Sequence, residues 1–134
     1  MTIATRASIS SFPRGHQFEP RSFALAREQV DAYLAAVGDT GVYGESVPPL
    51  AAVALGLEAF QQLVMLPEGS LHTGQEVEHE ALIRIGDPLT MIARVAQRSE
   101  RQGYVISVVE FEIAIASRVA VRARSTIMAP GIAS

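Results

Sequence analysis

The sequence predicts an α+β domain in which an antiparallel sheet wraps a long central helix. Three observations carry that prediction. One segment, starting at Pro48-Pro49, reads LAAVALGLEAFQQL and is apolar nearly all round. After Gly69 the apolar period changes from 3.6 to 2, and the alternation persists almost to the end of the chain. The helical and extended halves are segregated rather than alternating, which favours an antiparallel sheet over βαβ units.

In chain order, residues 1–11 are small and polar and are expected to fray. Gln17–Phe23 is expected to be an early strand. From Arg27 to Val37, the residues Val30, Tyr33, Leu34 and Val37 fall at i, i+3, i+4 and i+7, the stripe of an amphipathic helix. Gly38 follows as a C-terminal stop, and Asp39-Thr40-Gly41 continues as loop. The second helix is expected over about residues 49–63. Ala51, Ala52, Ala54 and Gly56 allow other backbone to approach closely, as befits a helix enclosed on most sides. Leu66-Pro67-Glu68-Gly69 ends it.

Four strands then follow, Leu71–Leu82, Leu89–Glu100, Tyr104–Ile115 and Val119–Ala129, read as a meander. Turns fall at Ile85-Gly86-Asp87-Pro88, Arg101-Gln102-Gly103 and Ser117-Arg118. Strict alternation places Leu89, Met91, Ala93 and Val95 on one face, and Val119, Val121, Ala123 and Ile127 on another. The opposite faces carry Arg94 with Arg98, and Arg122 with Arg124. The first strand sets His72, Glu76, Glu78 and Glu80 on one side. This is a wet face on which opposite charges pair across strands, each pair worth roughly 0.2–1 kcal/mol.

Composition narrows function. At 134 residues one domain is expected, spanning 1–134. There is no cysteine, so disulfide scaffolds, thiolate-held zinc and thiol nucleophiles are excluded. All 11 basic residues are Arg, which excludes a Schiff-base or P-loop lysine. A net charge of −3 without a basic block argues against nucleic-acid binding. The most apolar stretch is broken by Glu58, Gln61 and Gln62, so no membrane span is expected. The N-terminus lacks the apolar core of a secretory signal, which makes the cytoplasm the expected location.

Three segments together resemble the MaoC-like hydratases and dehydratases, specifically the branch that includes the FAS1-like N-terminal dehydratase domain. They are Tyr33–Asp39 (YLAAVGD), Val47–Leu50 (VPPL), and Leu71–Gln75 (LHTGQ) with Ile85–Leu89 (IGDPL). The resemblance covers about residues 17–129. It implies a hot-dog fold and chemistry on enoyl thioesters of coenzyme A or acyl carrier protein, with no cofactor and no metal. It also implies a catalytic loop of the form Asp-x-Asn-Pro-x-His, in which Asp and His act together on a water molecule. A backbone N–H at the start of the central helix polarises the thioester carbonyl. Such a reaction needs a general base and a donor aimed at the developing enolate.

The chain departs from that loop. Asp39 fits the Asp position, but Gly41-Val42 replaces Asn-Pro and Gly44 stands at the His position. The loop to Pro48 is also short for the family. Leu50 or Ala51 stands where the family has a helix-start Gly. The amides of Leu50, Ala51 and Ala52 are the candidate substrate contacts.

Asp39 reads either as a turn aspartate capping local amides or as the retained half of a catalytic pair. Tyr43 offers either a hydroxyl to the site or simple packing. Glu58, a lone carboxylate on the apolar helix, reads either as an exposed-edge residue or as a thioesterase base or nucleophile. His72 and His79 are expected on opposite faces of their strand, and His16 has no evident partner. Four functions remain open. The chain is a non-catalytic subunit beside a catalytic homologue, an active hydratase using Asp39 and Tyr43, an acyl-CoA thioesterase using Glu58, or an acyl-binding protein without turnover. A free sheet edge predicts a homodimer or a heterodimer.

Overall fold

The computed structural model describes residues 7–39, 41 and 43–131. A 3₁₀ turn at Ile9–Ser11 precedes strand β1 (Arg21–Phe23), helix α1 (Arg27–Ala36), strand β2 (Ser46–Val47) and helix α2 (Pro49–Phe60). Strands β3 (Leu71–His79), β4 (Ile83–Arg84), β5 (Leu89–Arg101), β6 (Tyr104–Ile115) and β7 (Arg118–Pro130) complete the fold. Five strands form one antiparallel sheet in the order β1-β5-β6-β7-β3, and β2 pairs with β4 as a separate ribbon. Helix α2 touches β1, β3, β5 and β7, so it spans the inner face of the sheet.

Two topological expectations are corrected. The strand beginning at Leu71 does not open a four-strand meander. It pairs with β7, at the far side from β5, so only β5, β6 and β7 run as consecutive hairpins. Residues 7–11 do not fray, because Ile9 and Ser10 are buried, and the Ser10 hydroxyl donates to the Pro130 carbonyl at 2.8 Å. Residues 1–6 lie outside the described residues. The early strand is in place but shorter than expected. Gln17 forms an isolated bridge to Arg94, Phe18 N–H donates to the Ala93 carbonyl, and Arg21–Phe23 pairs with β5.

Three β-bulges overturn the parity reading of the faces. Thr73, Ala96 and Ala120 are each an extra residue against an uninterrupted partner strand. One extra residue sends every later side chain to the opposite side. His72 therefore shares the inner side with His79, opposite Ile127 and Val121, while Leu71 joins Glu76 and Glu78 outside. Arg98 does not share Arg94's face. It turns inward and donates to the Ser10 carbonyl at 2.9 Å. Ala120 takes the buried place expected of Val119, which is half-exposed.

Helix α2 starts on Pro49, where the missing N–H costs nothing, and ends at Phe60, three residues before expected. Ala51, Ala52, Val53, Ala59 and Phe60 are buried against the sheet, while Leu50, Glu58 and Gln61 form an exposed stripe. Gly56 packs closely on β6: a Cβ there would stand 3.1 Å from Ile113 Cδ1, which would have to shift to admit it. Edge-on aromatic contacts run Phe12–Phe18–Phe60–Phe111, tying the N-terminal segment through α2 to β6.

Ser107 and Ser125 are buried on the inner face, and neither hydroxyl has a hydrogen-bond partner among the described residues. Such a group retains its desolvation cost without compensation. Ser125→Ala is therefore expected to stabilise the protein by about 1 kcal/mol. Urea unfolding checks it, and a destabilised Ser125→Ala would contradict the reading.

Candidate functional site

Helix α1 ends in a Schellman motif. Gly38, at φ +72°, donates its N–H to the Ala35 carbonyl at 3.2 Å, and Asp39 N–H donates to the Leu34 carbonyl at 2.9 Å. The left-handed conformation is open to Gly at little cost, and it fixes where Asp39 leaves the helix. The carboxylate then closes on its own loop. Oδ1 accepts the Gly41 N–H at 2.7 Å, and Oδ2 accepts the Tyr43 hydroxyl at 2.5 Å. Asp39 thus caps a local amide, as a turn aspartate does, and its other oxygen meets Tyr43. A Cβ on Gly41 would stand 3.0 Å from Asp39 Oδ1 and 3.2 Å from the Tyr43 ring, so only Gly admits this closure without displacement.

The loop is held at three further points. Arg27 donates to Glu45 at 2.8 Å and to the Gly44 carbonyl at 3.4 Å. Ile85 N–H donates to the Glu45 carbonyl, and β2 pairs with β4. Arg27 was not singled out from sequence, yet it carries a signal. A cation in the first turn of a helix opposes the macrodipole, so it needs another role.

The pair is electrostatically one-sided. The Tyr43 hydroxyl, and then the Gly41 amide, hold the Asp39 carboxyl below its usual range. The bond to Asp39 raises the Tyr43 phenol above its own. Asp39 is therefore ionised and Tyr43 protonated across roughly pH 4 to 10. The stabilisation is lost as pH falls through the depressed Asp39 value or rises through the raised Tyr43 value. In Tyr43→Phe, the Asp39 carboxyl should titrate higher than in the parent, measured by carbon NMR. An unchanged titration would mean that the phenol does not hold it.

The other candidates lie apart. Leu50 is 59% exposed at the start of α2, whereas Ala51 and Ala52 are fully buried and their amides already donate to the Pro48 carbonyl. Pro49 has no N–H, and the Leu50 amide has no hydrogen-bond partner among the described residues. Glu58 is exposed, with no hydrogen-bond or ion-pair partner among the described residues. His16 lies between the Phe12 and Phe18 rings, each centroid 4.7 Å away. No cluster of three metal-binding side chains occurs among the described residues. No helix among them is long and apolar enough to cross a membrane.

Two cavities among the described residues lie away from the loop. The crevice between α2 and the sheet, at Val53, Gly56, Met91 and Ile113, is closed to a water-sized molecule. A cavity of about 380 Å³ lies on the outer face of the sheet, away from α2 and Asp39.

Compared with known families, residues 13–123 match the model of the FAS1-like dehydratase domain region. The chain belongs to the FAS1-like dehydratase domain family. Solved structures agree on its hot-dog fold. The R-hydratase PhaJ1 from Pseudomonas aeruginosa superposes at a TM-score of 0.70 with 16% identity, over 95% of this chain and 88% of that one. A MaoC-like dehydratase from Rhodospirillum rubrum gives 0.73 with 12% identity, over 95% and 99%. The HadBC 3R-hydroxyacyl-ACP dehydratase complex from Mycobacterium tuberculosis gives 0.69 with 20% identity, over 90% and 99%. No curated protein matches the chain by sequence. In this MaoC-like domain, Asp39 follows the end of α1, a tyrosine is bound to its carboxylate, and the sequence from Asp39 to Pro48 holds no histidine.

Proposed function

We propose that the chain is the non-catalytic subunit of a MaoC-like enoyl-thioester hydratase or 3-hydroxyacyl-thioester dehydratase, paired with a homologue that carries the complete Asp/His loop. The observation that carries this reading is the Asp39–Tyr43 pair itself. A general base needs a pKa near the working pH. Each oxygen of Asp39 accepts a hydrogen bond that favours the ionised form, so its pKa is depressed. Tyr43 stays protonated, so it donates but does not accept a proton at neutral pH.

The partner is expected at the β3 edge. That strand is exposed along most of Leu71–His79 and has a neighbour on one side only, the situation that proteins relieve by pairing. A two-fold or pseudo-two-fold pairing there would continue the sheet and bring a second α2 alongside. An acyl pocket would then form between chains. The substrate would be an acyl-CoA or acyl-ACP thioester, with the Leu50 amide as a carbonyl donor. A homodimer using Asp39 with Tyr43 as its own catalytic pair is the competing reading. A thioesterase built on Glu58 gains nothing from that residue's exposed, unpartnered position.

Mixing separates these readings. The purified chain alone is expected not to hydrate crotonyl-CoA. It is expected to co-sediment with a MaoC-like chain bearing the full loop and to raise that chain's turnover. Rapid hydration by the chain alone, abolished in Asp39→Asn, would put the homodimer in its place. Release of free coenzyme A from a saturated acyl-CoA, abolished in Glu58→Gln, would establish the thioesterase.

A further inference from the structure

The outer face of the sheet, on the side away from α2, is ordered in rows. Strand register sets Glu76, Arg124, Glu110 and Arg94 side by side across β3, β7, β6 and β5. The next row is Glu78, Arg122, Glu112 and Ile92. Signs therefore alternate acidic, basic, acidic, basic across the strands, with Ile92 in the fourth place of the second row. Three contacts are made within the chain: Arg94–Glu110 at 2.8 Å, Arg122–Glu112 at 2.5 Å and Arg122–Glu80 at 3.2 Å. These rows wall the cavity of about 380 Å³.

Toward the other end the face turns apolar. Leu71, Met128, Ile106 and Ser99 form one row. Leu71 is 55% exposed and Ile92 44%. A sheet face that remained in water would be polar along its length.

We infer that this outer face binds a second copy of the same chain, sheet to sheet, about a two-fold axis running along the strands between β6 and β7. Such an axis keeps each row at its own height and reverses its order. Arg94 then lies over Glu76 of the second copy, and Arg124 over Glu110. In the apolar row, Met128 lies over Ile106. Every acidic position of the first row meets a basic one, and the apolar row meets itself. The alternation is antisymmetric about the β6–β7 boundary, so charge complementarity selects this axis and selects an identical partner. Stacked sheets align within about 30°, which preserves the facing of rows. The surface leaves the β3 edge free, so both associations fit one assembly.

The test uses the pair that only this packing joins. Within one chain, Arg94 and Glu76 are three strand spacings apart, about 14 Å. The full chain at low salt is expected to sediment at twice the mass of Arg94→Glu. Arg94→Glu combined with Glu76→Arg should restore the parent mass. Ile92→Arg, which completes the second row opposite Glu78, should tighten association about threefold or more, since two exposed ion pairs form at once. Equal masses for the parent and Arg94→Glu would overturn the inference, including when a chain of another sequence binds this face. So would a double variant that stays at the Arg94→Glu mass. Should Arg94→Glu misfold, Ile92→Arg decides alone, and unchanged or weakened association would refute the packing.

Discussion

Phe60→Ala is expected to cost about 3–5 kcal/mol, the range for removing a large buried aromatic side chain. Phe60 is 1% exposed and closes α2. Its ring meets Phe18 and Phe111 edge-on, each centroid 5.1 Å away. It therefore joins three parts of the chain that are distant in sequence: the segment before β1, the helix and the middle of the sheet. Truncation leaves a cavity that none of these can fill alone. Net stabilities of such domains are about 5–15 kcal/mol, so the variant should sit near the edge of unfolding. Urea denaturation measures the loss. Phe60→Leu should recover part of it by filling volume, and Tyr104→Ala, at an exposed site, should cost little. A loss below about 1 kcal/mol in Phe60→Ala would show that helix and sheet are held by something else.

The helix bearing Phe60 was legible because its composition is unusual: an apolar, Ala- and Gly-rich run has few places to go but the inside of a fold. The strands were legible from their period, and their starts at Leu71, Leu89 and Tyr104 match the structure. Facing was not legible beyond the bulges. Thr73, Ala96 and Ala120 have nothing in their chemistry that marks an extra residue, and parity counted through them inverts His72, Arg98 and Val119. Pairing was a harder matter, since local pattern does not name a strand's neighbour. One signal was present. Glu76 and Glu78 are two apart, as are Arg122 and Arg124, whereas Arg94 and Arg98 are four apart. Equal spacing allows two ion pairs in one register, and β3 indeed lies beside β7 with Glu76 opposite Arg124 and Glu78 opposite Arg122.

At the site, Asp39 was legible because Gly38 marks the helix end. The hydroxyl of Tyr43 could be named, but its bond to Asp39 could not. That bond depends on how the loop folds back, which is set by Gly41 at close range and by Arg27 from another element. The close packing of Ala51 and Ala52 was legible from their size, but the exposure of Leu50 was not. A helix known only to be apolar does not reveal which of its first residues faces water.

Loss of the Asp39 charge is expected to change the rate of the assembled enzyme little, while the chain on its own should fall short of a complete Asp/His site by about 10² to 10⁴, the usual worth of general acid–base catalysis. To activate water, a carboxylate must take its proton. Here one oxygen of Asp39 accepts from a backbone amide and the other from a phenol. Each bond favours the ionised form, which lowers the drive to pick up a proton. The phenol is pushed the other way, so it cannot replace the histidine as acceptor. Asp39→Asn would keep the loop's size but weaken its bonds to Gly41 and Tyr43, a change in loop order more than in proton transfer. In the complex with a full-loop partner, kcat should stay within about twofold of the parent. Any effect should appear in KM, because the loop leads through β2 into the helix start where the thioester carbonyl would bind. Steady-state rates with crotonyl-CoA, taken on both the single chain and the complex, separate these terms. A drop of more than about tenfold in kcat with KM unchanged would mean that Asp39 moves a proton, and the chain would then be a catalytic subunit in its own right.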